Sequence, residues 1–159
     1  MNADDILREQ VLERLRMQGA HADFKQAIDG LPAKMRGERA PASPFTPWRL
    51  LEHMRITQWD ILEFCRNPKH VSPDWPAGYW PAGDAPPNPG AWNHSVADFE
   101  RNLGDMQALV ADRSTDLFAR IPHGTGQTIL REALLVADHT SNHLGQMILL
   151  RRLLGAWKD

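Results

Sequence analysis

Ile129, Ala133, Val136, Thr140, His143, Met147, Leu150 and Leu154 recur at alternating spacings of four and three along one stretch of this chain. That rhythm is the seam of a long helix packed at a shallow angle against neighbouring helices. A strand would need period two, and no segment of the chain sustains that alternation. Thr128 stands where a helix N-cap belongs and Gly155 where a left-handed C′ residue belongs. Arg151 and Arg152 suit the negative end of the helix dipole.

Three further segments carry helical spacing. The first runs from Asp4 to Leu31, through Leu7, Val11 and Leu15 and then Met17, Ala20, Phe24 and Ala27. Its stripe changes phase near Gly19, which predicts a bend or break there. The second begins at Thr46-Pro47, a threonine N-cap followed by proline at the first helical position. Leu50, Met54, Thr57, Ile61 and Phe64 form its inward stripe, which ends before Asn67-Pro68. The third is expected to start at Ser95, where Ser95 and Asp98 resemble a capping box. Val96, Phe99, Leu103, Met106 and Val110 mark its buried side, and residues 121–126 form a turn-rich link to the fourth helix.

Residues 67–94 break the pattern. They hold seven of the chain's twelve prolines, three glycines and Trp75, Trp80 and Trp92. Proline removes backbone donors and fixes φ, which excludes a regular helix or a central strand. Three tryptophans need a surface to cover, so an ordered crossover is expected over one end of the bundle. The predicted fold is all-α, an antiparallel four-helix bundle in one domain spanning 1–159, with a long Pro/Trp-rich crossover between helices 2 and 3.

Composition removes several function classes. A net charge of −2 without a Lys/Arg stripe gives no nucleic-acid footprint. No apolar run approaches the ~20 residues that span a bilayer, so no membrane partner is expected. The start Met-Asn-Ala-Asp-Asp-Ile lacks a basic region followed by an apolar run, and Cys65 is the single cysteine. The expected location is the cytoplasm, with no intrachain disulfide.

The chemistry lies in histidines. His139 and His143 are four apart on the fourth helix, which puts their Cβ atoms about 5–6 Å apart on one face. Two such imidazoles can reach one ion at roughly 2.0–2.1 Å each. His53, flanked by Leu50, Met54 and Ile56, faces inward from the second helix, and bundle cores build metal sites from facing helices. The plainer reading is that each is a core histidine with a satisfied hydrogen bond. An all-nitrogen set suits a divalent transition metal, zinc or nickel first, with iron, manganese or copper as alternatives, rather than calcium or magnesium. Three histidines leave a coordination position open, as catalytic sites do. Thr140 follows His139 where a zinc protease carries glutamate, so the built-in base of that motif is missing.

Gln146, one turn after His143, is a candidate for orienting a ligand or a bound water, against the plainer role of a polar residue bonded within the bundle. Asp60, one turn beyond Ile56, is a candidate for receiving an imidazole N–H, although a solvent-facing carboxylate is the simpler reading. His21, His70, His94 and His123 lie outside the strong seams and read as surface or loop residues. Cys65 reads as a small buried hydrophobe. Trp75, Tyr79 and Trp80 either wall a cleft or pack the crossover down, with packing favoured.

The segments Phe45-Thr-Pro-Trp-Arg-Leu-Leu-Glu-His53 and Gly126-Gln-Thr-Ile-Leu-Arg-Glu resemble the DinB/YfiT-like superfamily. So do His139-x3-His143-Leu-Gly-Gln146 and Leu149-Leu-Arg-Arg-Leu-Leu-Gly-Ala-Trp157. The resemblance runs from His21 to Trp157 and is strongest in the last helix. It implies a four-helix bundle, a homodimer, and a divalent ion on His53, His139 and His143. Some members transfer low-molecular-weight thiols such as bacillithiol or mycothiol, one is a mycothiol-dependent isomerase, and many have no known activity. Two functions stay open at this point. One is a metal-dependent thiol S-transferase or hydrolase acting on a small electrophilic substrate. The other is a non-catalytic metal-binding or stress-response dimeric interaction module.

Overall fold

The computed structural model describes residues 2–157. It contains the helices α1 (Ala3–Leu15), α2 (Phe24–Ile28), α3 (Pro47–Arg66), α4 (Ala91–Ala111) and α5 (Ile129–Leu153), with short 3-10 turns at Ala33–Met35 and Ala77–Tyr79. Among the described residues there is no strand, only an isolated bridge between Arg120 and Thr128. No described helix is long and apolar enough to cross a membrane.

Local chemistry sets the helix ends. Asn2 and Asp23 close capping boxes on α1 and α2, while the Thr46 and Thr128 side chains accept from Arg49 and Arg131 N–H groups at the starts of α3 and α5. Gly155, at φ 69°, takes the left-handed position after α5. The stretch expected as one helix from Asp4 to Leu31 divides into α1 and α2. Between them Met17 adopts φ 57° and is itself buried. The turn it makes brings the second half of the stripe back to the core in its new phase.

The start of α4 differs from expectation. The helix begins at Ala91, after Gly90, and no side chain caps it. Ser95 and Asp98 lie inside the helix, Ser95 buried and Asp98 paired with Arg101 at 2.7 Å. The physical reason is Trp92. It is buried beneath the Arg36 guanidinium, 4.9 Å from its ring centroid, and that anchoring extends the helix one turn upstream.

α3 packs against α4 and α5, and α1 packs against the same two helices. Side-chain pairs show which way each helix runs. Arg66 at the end of α3 meets Asp105 of α4 at 2.9 Å, while Trp48 and Glu52 near its start share a cleft with Ala91 and Ser95 at the start of α4. α3 and α4 therefore run in the same direction, which departs from the antiparallel arrangement expected. α5 runs opposite to α3: Leu50 and Leu51 cluster with Met147 and Leu150, and Ile61 and Leu62 cluster with Ala133 and Val136. A parallel neighbour needs a connection that returns along the whole of α3, about 30 Å for 20 residues. Residues 67–90 make that return, touching Asp60 through His70 and Tyr79 and reaching Thr46 at Asp84.

Two buried arginines tie chain ends into this frame. Arg8 donates to the carbonyls of Val110, Asp112 and Thr115 at the exit of α4. Arg151 donates to Ala27 and Ala156 carbonyls, joining the end of α5 to α2. In the upper core Phe99 is fully buried, its ring stacked 3.9 Å from that of Phe24.

Candidate metal centre

His53 leaves the middle of α3 and His139 and His143 leave α5, opposite one another across the contact between these helices. Ring centroids lie 4.8 Å (His53–His139), 4.7 Å (His53–His143) and 4.4 Å (His139–His143) apart, with the rings steeply inclined to one another. One ligand atom from each falls within 4.8 Å of the others, so the cluster could hold a metal ion. The sequence-predicted triad is thus brought together in space.

Hydrogen bonds on the outer nitrogens decide which nitrogen of each ring faces inward. His53 Nδ1 donates to the Tyr79 carbonyl at 2.9 Å, because a carbonyl can only accept. His143 Nδ1 donates to Gln146 Oε1 at 2.7 Å. Each neutral ring then keeps its lone pair on Nε2, the pattern of metal-ligating histidines whose second N–H is held by a carbonyl. His139 Nε2 sits 3.0 Å from His53 Nε2. That contact is an N–H donated by the His139 tautomer protonated on Nε2 or, with that proton on Nδ1 instead, two lone pairs that would face one cation. Ligands at 2.0–2.1 Å in tetrahedral array would be about 3.3 Å apart, close to what is observed.

Burial keeps all three rings neutral. Desolvation lowers His53 and His143 below the ordinary imidazole value. His139 is pushed down to about 3, first by desolvation and then by His143 and His53. Neutral imidazole is the ligating form, so little proton competition opposes an ion near neutral pH. For metal-free protein the sign follows directly. The unfolded chain binds protons on these histidines below pH 6.5, whereas in the folded chain burial lowers all three and holds His139 neutral until about pH 3. Stability is therefore full above the unfolded value and is lost as pH falls through that window. Tm of chelator-treated protein should drop between pH 7 and pH 5, and His139→Gln should flatten the slope. Identical slopes in the two proteins would refute this assignment.

The surroundings seat the first histidine. Trp80 stacks on His53 with centroids 3.9 Å apart and planes 2° from parallel, and Phe45 stacks on Trp80 at 5.0 Å. Tyr79 and Trp80 therefore do more than pack the crossover, whereas Trp75 is largely exposed. Gln146 takes the role of orienting a histidine. Asp60 does not receive an N–H from any of the three clustered histidines, and it is not solvent-facing either. It is buried, accepting from Tyr79 Oη at 2.6 Å and from His70 Nε2 at 2.7 Å. Burial and the Asp60 carboxylate push the Tyr79 hydroxyl up to about 12, so it stays a donor. Asp60 thus acts on His53 through Tyr79, whose hydroxyl it anchors and whose carbonyl holds the imidazole.

That relay predicts a measurable loss. Asp60→Ala should weaken metal affinity roughly 10–100-fold, the usual effect of losing outer support, with helical content retained. Tyr79→Phe keeps the carbonyl and should fall in the same direction by less. Chelator competition reads both, and wild-type affinity in Asp60→Ala would refute the relay.

The remaining histidines stay apart from the cluster. His21 contacts Ser141, His94 pairs with Asp98, and His123 bonds the Phe64 carbonyl. Desolvation, aided by Glu132, pushes the Cys65 thiol up to about 12, which removes it as a nucleophile. The contacts of Tyr79, Trp80 and His70 were not foreseen from sequence. Their only signal was an aromatic-rich crossover too ordered in composition to be a linker.

An all-helical chain in which two long helices direct three neutral imidazoles to one point defines a class, helical proteins with a histidine cluster suited to a divalent ion. The family follows from comparison: a model of the DinB superfamily matches residues 9–147, and the chain belongs to that superfamily. The match begins within α1, upstream of where the sequence resemblance begins. No curated protein and no solved structure matches the chain.

Proposed function

We propose that this chain is a metal-dependent enzyme of the thiol S-transferase or hydrolase type, built as a four-helix bundle of the up-down-down-up kind. His53, His139 and His143 would hold a divalent transition ion, zinc or nickel before iron, manganese or copper. The observation that carries this reading is the convergence of the three imidazoles, two of them with the outer nitrogen committed and Nε2 left facing inward. Membership of a superfamily whose members often bind metals supports it. When bound, such an ion supplies Lewis acidity toward a thiol or water and leaves a position open for it.

The chain's own residues orient and exclude. Tyr79 and Gln146 fix the two ring tautomers, and Trp80 and Phe45 cover one side of His53. Asp60 is engaged by Tyr79 and His70, and Cys65 is protonated and partly buried, so neither is a nucleophile. The nucleophile is accordingly a co-substrate, a low-molecular-weight thiol or water, and the second substrate a small electrophile. Homodimerisation and a cytoplasmic location are carried forward from the resemblance and the sequence.

Elemental analysis of untagged protein, followed by thiol-transfer and hydrolase screens on loaded and chelator-stripped samples, tests the reading. About one ion per chain, with activity lost on stripping and restored on reloading, is the expected result. Activity indifferent to stripping would overturn the enzyme reading, and absence of metal after reconstitution would overturn both halves.

A further inference from the structure

One turn beyond the histidine cluster, the contact between α3 and α5 opens into a cavity of about 460 Å³, walled by Phe45, Leu50, Gln146, Leu149, Leu150 and Leu153. Its volume falls in the range of small-molecule sites. The cavity is tied to the cluster at two points. Gln146, its one polar side chain among these six, accepts from His143 Nδ1. Phe45 stacks on Trp80, which stacks on His53. Ser43, also in the wall, spends its hydroxyl on the Phe45 carbonyl.

No charged residue lines this space. Other cavities of similar size differ: one has Arg14 and Asp138 in its walls, another Glu52, Arg55 and Asp98. Leu149 and Leu153, one turn apart on α5, are 57% and 58% exposed at its mouth, an apolar cost the chain bears in water. From His143 to Leu150 the helix advances ~10 Å, the reach of a chain of about six to eight carbons.

We propose that this cavity binds the uncharged apolar tail of a small amphiphilic ligand whose polar head meets the histidine cluster. The head-group half of the statement rests on the proposed metal site; the tail half rests on the cavity alone. The occupant is a single small molecule with an aliphatic chain, since the walls offer dispersion contacts and no counter-charge.

Straight-chain hydroxamates from acetohydroxamate to octanohydroxamate are the probe, with a metal-chelating head of constant chemistry and a tail of variable length. On zinc-loaded protein, affinity should rise roughly three- to fourfold per methylene until the cavity is filled. Leu149→Ser/Leu153→Ser, altering exposed positions only, should flatten that rise and leave acetohydroxamate affinity and zinc content unchanged. On metal-free protein the same tails should still shift the Leu149, Leu150 and Leu153 methyl resonances, with the same length dependence and weaker affinity. If zinc does not bind, the metal reading fails while the methyl shifts still decide this one. Affinity independent of chain length, or no methyl shift with octanohydroxamate, overturns the proposal. So does a double variant that turns a dimer into a monomer in sedimentation while the length dependence persists, because the leucines would then serve a second copy.

Discussion

His139→Ala should leave purified protein essentially without bound metal, where wild type carries about one ion per chain. Removing an outer hydrogen-bond partner costs a histidine site roughly 10–100-fold in affinity, and removing a ligand costs more. His139 is one corner of a nearly equilateral triangle of rings, and His143 and His53 both act on it electrostatically. Without it, the two remaining imidazoles lie across a helix contact with no third donor on α5 to close the set. The fold should survive, because His139 lies outside the apolar seam and is only partly buried. Circular dichroism and elemental analysis on one sample suffice as the check. Stoichiometric metal in the folded variant would show that the ion, if present, sits elsewhere, and loss of helix would transfer the question to His139→Gln.

Phe99→Ala should lower global stability by about 3–5 kcal/mol, the range for deleting a fully buried phenyl ring. Phe99 has no exposed surface, and its loss also removes the stack on Phe24 that holds α2 to α4. Against a total stability on the order of 5–15 kcal/mol, that is a large share. Denaturant unfolding should show a lower midpoint with a similar slope. A change under 1 kcal/mol would mean that Phe24 and its neighbours collapse into the space.

Where periodicity and capping chemistry lie close together in the chain, the fold was legible. The seam of α5, its Thr128 and Gly155 ends, and the Thr46-Pro47 start of α3 all appear in the structure as read. The start of α4 misled because Ser95 and Asp98 imitate a capping box, whereas the burial of Trp92 decides where the helix begins. The direction of α4 was hidden for a related reason. It depends on how residues 67–90 travel, and proline-rich chain has no period to reveal its path. The same separation divides the site. His139 and His143 declare themselves by spacing, and His53 by its place on an inward face. The hold of Tyr79 on His53 spans 26 positions, and Asp60 meets His70 and Tyr79 only because the crossover doubles back. Arg8 and Arg151 look like surface charges until the carbonyls they reach are known.

The doubling back of residues 67–90 has a kinetic side. α3 and α5 are secured by buried cores at both ends of their contact, whereas the returning segment is secured by a handful of polar bonds and two stacked rings. Segments with few buried apolar contacts open first in local unfolding. His53 therefore loses its carbonyl partner and its aromatic cover in an opening that leaves the helices intact. Release of anything resting on the three imidazoles is expected to follow the opening of that segment and not global unfolding.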